Sequence, residues 1–138
     1  EEMTKLGINY GKGLQLINVL RDRGADAAGG RGYLPVEELA TAPVAQVFAN
    51  WLAKAEEKIT AGIDYCLALT NWRVRFATAL PALIGARTIA LLRAAEIGEK
   101  KIKVPRKEVR RILAAGALAS LSPVALRALF QRLFVPPR

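Results

Sequence analysis

The chain has 138 residues and a mass of 15.0 kDa, which is the size of a single domain. Its one cysteine and its lack of histidine exclude an internal disulfide framework, a cysteine-built zinc site and catalysis by a Ser–His or Cys–His pair. Any metal must therefore bind to oxygen ligands. Hydrophobic residues reach 52% while aromatic residues reach only 7%, which favours helices over a β-sandwich or barrel.

The net charge of +9 is concentrated in the second half of the chain. Residues 1–66 carry nine acidic and seven basic side chains, whereas residues 67–138 carry three acidic and fourteen basic ones. A pI near 10.2 indicates an anionic partner, and the composition leaves phosphate, nucleic acid and a lipid headgroup open. The acidic start of the chain argues against a signal peptide, and Pro81 and Arg87 interrupt its most apolar stretch, so no membrane span is expected.

Apolar residues recur at helical spacing over most of the chain. The predicted helical segments are, in chain order, residues 3–28, 36–40, 43–69, 68–96, 105–121 and 122–133. Pro81 is expected to start or kink the fourth segment, and Ser122 with Pro123 to start the last one. Since no alternating β pattern, internal repeat or low-complexity tract is present, the sequence predicts an all-α domain.

The first predicted helix carries a polar stripe. At about 100° per residue, Gln15, Asn18, Asp22 and Asp26 fall within an arc of roughly 80°, and the opposite side is apolar. Two glycines, at positions 7 and 11, continue the stripe towards the N-terminus. Because glycine costs a helix about 1 kcal/mol relative to alanine, this pattern predicts that a bulky group approaches the stripe closely.

Asp22 and Asp26 are one helical turn apart, and like charges at that spacing destabilise a helix. A divalent cation between the two carboxylates would reverse this effect. Mg²⁺ typically takes one or two protein carboxylates and completes its shell with waters and phosphate oxygens, to which Gln15 and Asn18 could donate hydrogen bonds. The alternative is that the aspartates pair with nearby arginines on a solvated helix face.

Residues 13–26, GLQLINVLRDRGAD, and residues 30–35, GRGYLP, resemble the second aspartate-rich motif of the squalene/phytoene synthase family. That motif has the form Q-L-x-N-I-L-R-D-x-x-x-D followed by G-R-x-Y-L-P. The resemblance implies the all-α isoprenoid (terpenoid) synthase fold, with residues 1–138 as the C-terminal half of a single domain. It also implies head-to-head coupling of two prenyl diphosphates, farnesyl or geranylgeranyl diphosphate, with Mg²⁺ as the cofactor.

The same resemblance assigns roles to individual residues of the motif. Asp22 and Asp26 would bind Mg²⁺, and Gln15 and Asn18 would bind the substrate beside it. A further pair of residues, Arg31 and Tyr33, occupies the G-R-x-Y positions and would be catalytic. Tyr33 would then lie near the reacting carbons or the leaving group, while bracing of the connector is the alternative role for Arg31.

The run 100–111 contains seven basic residues and one acidic residue. Its plainest interpretation is a solvated helix end or loop, and a contact with diphosphate or with anionic lipid is an alternative. The family places a basic residue near this region, and Lys101 is the first candidate for the diphosphate contact. These expectations place the protein in the cytoplasm, with peripheral membrane contact as a further possibility.

The chain departs from the family pattern in two ways. Ala25 stands where the family often has Glu, and Lys12 and Gly32 are unusual in their positions. The family's earlier aspartate-rich motif does not occur in these 138 residues, so coupling is expected to need an N-terminal half, and an open cavity wall would otherwise drive self-association. The alternative function is a non-catalytic helical interaction module; nucleic-acid binding is disfavoured because the basic run lacks interleaved aromatic residues.

Sequence also predicts which unusual side chains are buried. Cys66 is expected to be a small core residue, since no histidine could activate it. The aromatic residues expected in the core, with one or two lining a prenyl tunnel, are Trp51, Tyr65, Trp72 and Phe76. The arginines within the apolar segments, most of them expected at the surface, are Arg73, Arg75, Arg87 and Arg93.

Overall fold

A computed structural model describes residues 1–28, 35–95 and 102–136, with the side chains at 23–28 and 36 outside the description. The described residues form helices and contain no strand, so the predicted all-α class is confirmed. The helices are α1 (Glu2–Ala28), α2 (Val36–Thr41), α3 (Val44–Leu67), α4 (Trp72–Ala94), α5 (Arg106–Ala119) and α6 (Pro123–Leu133).

Local capping decides where two of the helices begin. Asn71 caps α4, since its side-chain oxygen accepts hydrogen bonds from the backbone N–H groups of Arg73 and Val74 at 3.0 and 3.3 Å. The predicted start of this helix at residue 68 was therefore too early. Ser122 caps α6 with Pro123 in the first turn, which confirms the start predicted for the last helix.

Helix α4 is the centre of the bundle and packs against α1, α3, α5 and α6. Its buried surface is rich in small residues, which allow neighbouring helices to approach closely. The buried residues of α4 are Arg75, Ala79, Ala82, Leu83, Gly85, Ala86, Thr88, Ile89, Ala90 and Leu92. Pro81 lies inside the helix rather than at its start, so of the two predicted alternatives the helix-start one is wrong.

The hydroxyl of Tyr10 is inserted into α4 beside Pro81. It donates a hydrogen bond to the carbonyl oxygen of Thr78 at 2.6 Å and accepts one from the N–H of Ala82 at 3.0 Å. In a regular helix these two backbone groups, four residues apart, would bond to each other. A side chain that inserts at this point is a recognised way to open a helical turn, and proline is another. Tyr10 therefore bridges the turn that Pro81 disturbs.

Helices α1 and α3 run antiparallel and touch through glycines. A Cβ on Gly13 would lie 2.8 Å from Cγ2 of Ile59, and a Cβ on Gly62 would overlap the ring of Tyr10. Sequence reasoning instead expected close approach at the glycines of the polar stripe. A Cβ on Gly7 would make only ordinary contact with Tyr65, and Gly11 has nothing within 4 Å among the described residues. Close approach between helices occurs on the core side of α1, and the approach of a bulky group to the stripe stays a prediction.

A buried arginine joins two turns of the bundle. The Arg75 guanidinium donates to the carbonyl oxygen of Leu69 from Nε and Nη2, at 3.0 and 2.6 Å, and to that of Ser120 from Nη1, at 2.8 Å. These bonds hold the α3–α4 turn against the α5–α6 turn and satisfy two carbonyl groups. The expectation of a surface position is wrong for Arg75, whereas Arg73 and Arg93 are exposed.

The aromatic side chains divide between the interior and the surface. Trp51, Tyr65 and Phe76 are partly buried, but Trp72 is 41% exposed and is not a core residue. Cys66 is fully buried, as expected. By length and composition, α4 is apolar enough to cross a membrane, and half of its most apolar window is buried inside the bundle.

Removing the Tyr10 hydroxyl should cost stability. Tyr10→Phe leaves a buried carbonyl and a buried N–H without their partner, so we expect a loss of about 1–3 kcal/mol in the free energy of unfolding. The matched control is Tyr65→Phe, since no hydrogen bond of the Tyr65 hydroxyl occurs among the described residues. Denaturant titration measures both, and equal stability of Tyr10→Phe and wild type would contradict the bridging role.

The close contact of α1 with α3 predicts opposite effects for two glycine substitutions. Gly62→Ala forces the Tyr10 ring out of its site and should destabilise the protein by about 1–3 kcal/mol or more. Gly11→Ala meets open space and should stabilise α1 by up to about 1 kcal/mol. Thermal unfolding followed by circular dichroism compares them, and a tolerated Gly62→Ala would show that the interface is not tightly packed.

Stability should fall at alkaline pH. Burial raises the pKa of Cys66 from 9.0 to about 12, and burial together with neighbouring Cys66 raises the pKa of Tyr10. The folded protein thus holds these protons more tightly than the unfolded chain, so the stabilisation is complete below about pH 9 and is lost as the pH rises towards about 12. Cys66→Ala should flatten this decline in the free energy of unfolding; an unchanged slope would contradict it.

Candidate active site

The polar stripe lies on the side of α1 that faces away from the core. The core side carries Tyr10, Gly13, Ile17 and Leu20 at helical spacing, and all four are buried. Gln15 and Asn18, which belong to the stripe, are exposed, and Asp22 is partly buried. The helix is therefore anchored by one face and presents amide and carboxylate oxygens on the other.

Arg21 and Asp22 form an ion pair, with Nε and Oδ1 separated by 3.2 Å and both side chains partly exposed. This is the solvated pairing that the sequence left open as an alternative to a metal site. A partly exposed pair of this kind contributes little to stability, about 0–1 kcal/mol. Asp26 lies one turn further along α1, and its side chain is outside the described residues.

A groove of about 360 Å³ runs between α1 and α4 next to the stripe. It is mostly apolar, and polar side chains enter it from α1. The lining residues are Leu14, Ile17, Asn18, Arg21, Leu80, Pro81, Ile84, Gly85 and Thr88. The groove therefore joins Asn18 and Arg21, beside Asp22, to a wall of α4 that consists largely of aliphatic carbon.

Sequence reasoning did not identify the α4 wall of this groove. Leu80, Pro81 and Ile84 are separated from the α1 stripe by more than fifty residues, and nothing in their local pattern distinguishes them from other core-facing positions. Arg21 could have been predicted as a site residue from the sequence, because it directly precedes Asp22 within the motif. Its place in the groove depends on how α1 packs on α4.

The donor set on α1 suits a magnesium ion. Carboxylate and amide oxygens are hard ligands, and Mg²⁺ needs only one or two protein carboxylates when phosphate oxygens complete its shell. Among the described side chains, no group of three or more acidic, cysteine or histidine residues is placed to hold a metal by itself. The residues fit an ion that arrives with a phosphate ligand better than an ion held by protein ligands alone.

The structure does not describe the other predicted site residues. Arg31, Tyr33 and Lys101 lie outside the described residues. The described part of the basic run contributes Lys107 and Arg111 to a second groove, of about 450 Å³, between α4, α5 and α6. That groove is distinct in its lining from the one beside the stripe.

Comparison with known proteins identifies the family of the chain. The family model described as squalene/phytoene synthase matches residues 1–109, which include α1 to α4 and the start of α5. No curated protein and no solved structure matches the chain. The family match confirms the resemblance inferred from the motif, and the helical architecture agrees with the isoprenoid synthase fold of that family.

Proposed function

The chain belongs to the squalene/phytoene synthase family, and we propose that its α1 stripe binds the Mg²⁺-diphosphate end of a prenyl diphosphate during head-to-head coupling. The observation that supports this most directly is the position of the stripe beside the α1–α4 groove. A polar, oxygen-rich surface and an adjoining apolar groove are the two features that a prenyl diphosphate requires.

The diphosphate end would be bound by residues of α1. Asp22 and Asp26 supply carboxylate oxygens, and Asn18 and Gln15 supply amide groups that hold waters or phosphate oxygens in place. Arg21 leaves Asp22 and neutralises part of the diphosphate charge, which favours departure of the leaving group. A bound Mg²⁺ would add Lewis-acid stabilisation of the same charge.

The prenyl chain would lie along the wall of α4. Leu80 and Ile84, with Leu14 from α1, offer aliphatic contacts and exclude water from an allylic cation. Tyr33 and Arg31 follow the stripe along the chain and are proposed to act near the reacting carbons, and Lys101 to contact diphosphate. Coupling needs a second substrate in register with the first, which we expect the rest of an isoprenoid synthase domain to hold.

Binding of farnesyl diphosphate tests the proposal without requiring turnover. Wild-type chain should bind it only with Mg²⁺ present, and Asp22→Asn or Asp26→Asn should weaken binding at least about tenfold, since a contact to a charged group is worth about 1.5–3 kcal/mol. Isothermal titration calorimetry measures the affinity, and circular dichroism should show unchanged helix content because each substitution relieves repulsion between like charges.

The matched control is Asp64→Asn, which removes another exposed, ion-paired carboxylate. Asp64 lies on α3 and pairs with Arg127 of α6 at 2.5 Å, so its loss should leave ligand binding unchanged. Farnesol, which lacks the diphosphate, should bind independently of Mg²⁺. The proposal fails if the Asp22 and Asp26 variants bind farnesyl diphosphate as tightly as wild type does, or if Asp64→Asn weakens binding equally.

A further inference from the structure

One end of the bundle exposes an uncharged, apolar surface. Residues 112–126 contain no charged side chain over fifteen positions, although charged residues make up 24% of the whole chain. This segment includes the last part of α5, the α5–α6 turn and the start of α6. Within it, Leu118 is 72% exposed, Leu121 is 60% exposed and Val124 is 81% exposed. These three apolar side chains are therefore not buried by packing within the bundle.

The start of α4 adds further apolar side chains to the same end. Arg75 bonds to both Leu69 and Ser120, which places the α3–α4 turn next to the α5–α6 turn. Trp72 and Val74, directly after the first of these turns, are also exposed. The surface formed by Trp72, Val74, Leu118, Leu121 and Val124 is called the apolar end below. An exposed tryptophan among aliphatic residues is typical of a surface that meets a membrane interface.

Basic residues stand behind the apolar end on both helices of the α5–α6 pair. Arg110 and Arg111 precede Leu118 by seven or eight residues, roughly 10–12 Å along α5. On α6, Arg132 lies eight residues after Val124, about 12 Å along the helix. These three arginines are exposed, whereas Arg127 of α6 is paired with Asp64. This spacing is close to the depth of about 5–10 Å at which interfacial helices bury their apolar side chains.

A shallow groove extends the apolar end between α5 and α6. Its volume is about 430 Å³, and it is lined by Ala115, Leu118, Ala119, Ala125, Ala128, Leu129 and Arg132. All of these except Arg132 are aliphatic, so the groove offers carbon surface with one cation at its edge. That arrangement suits an acyl chain whose phosphate lies near Arg132.

We propose that the apolar end inserts into the headgroup region of a bilayer that contains anionic phospholipids, with the arginines behind it contacting the phosphates. The apolar side chains would be buried among the lipids, which favours binding, and each basic residue near an anionic surface adds electrostatic attraction. A second copy of this chain fits the surface less well, because two apolar ends in contact would bring arginine-rich flanks of the same charge together.

Vesicle flotation tests this proposal on the full chain. Wild type should float with vesicles of phosphatidylcholine and phosphatidylglycerol, should float weakly with phosphatidylcholine alone, and should be released by salt. The double substitution Leu121→Asp with Val124→Asp should weaken binding by more than about tenfold. Because both side chains are exposed, the variant should keep its helix content and melting temperature.

Three variants separate the apolar and the electrostatic contributions. Val44→Asp introduces the same charge at an exposed valine at the start of α3, the helix end remote from the α3–α4 turn, and should bind vesicles as wild type does. Arg110→Gln and Arg132→Gln should each weaken binding to anionic vesicles by about fivefold and leave the weak binding to neutral vesicles unchanged.

Tryptophan fluorescence reports the orientation. The chain has two tryptophans, so a Trp51→Phe background leaves Trp72 as the single emitter, and its emission should shift to shorter wavelength on addition of anionic vesicles. The proposal is overturned if anionic vesicles leave the chain unbound, or if the Leu121 and Val124 double variant floats with them like wild type. It is also overturned if that variant instead dissociates a dimer in lipid-free solution, which would identify a second copy as the occupant.

Discussion

The hydrogen bonds of the Tyr10 hydroxyl stabilise the bundle at the turn of α4 that Pro81 disturbs. Pro81 removes one backbone donor from the middle of the central helix, and a proline there normally costs a helix about 3 kcal/mol. Tyr10 supplies a donor and an acceptor to Thr78 and Ala82 in the adjacent turn. The ring that carries this hydroxyl fits only because Gly62 on α3 has no side chain. Three helices are thus aligned by one buried side chain.

This alignment determines what the outer face of α1 can do. Since Tyr10, Ile17 and Leu20 bind the helix to α3 and α4, the stripe with Asn18 and Asp22 is held at a constant orientation beside the α4 wall. The stabilising residues and the residues proposed to bind diphosphate therefore occupy opposite faces of the same helix. Substitutions in the stripe can be neutral for folding while they alter ligand binding, which is the pattern expected when a site is grafted onto a rigid scaffold.

The second half of the chain uses its positive charge in two different ways. Some arginines are structural: Arg75 joins two turns, Arg87 pairs with Glu108, and Arg93 pairs with Glu56. Others, such as Arg110 and Arg132, are exposed around an apolar surface. In the composition, every arginine counts equally as one positive charge, whichever of the two groups it belongs to. Only their partners distinguish a side chain that satisfies backbone carbonyls from one that is available to an anionic surface.

The sequence by itself determined the helical class and the register of the stripe, because 3.6-residue periodicity places Gln15, Asn18 and Asp22 on one face whatever surrounds the helix. It also identified the family, since the motif is contiguous. Tertiary structure alone decided the burial of Arg75 and the exposure of Trp72, because both depend on which turn lies against the start of α4. The groove wall on α4 likewise arises from long-range packing. Local periodicity carries the orientation of a helix face, whereas the identity of its neighbour depends on contacts between residues far apart in the chain.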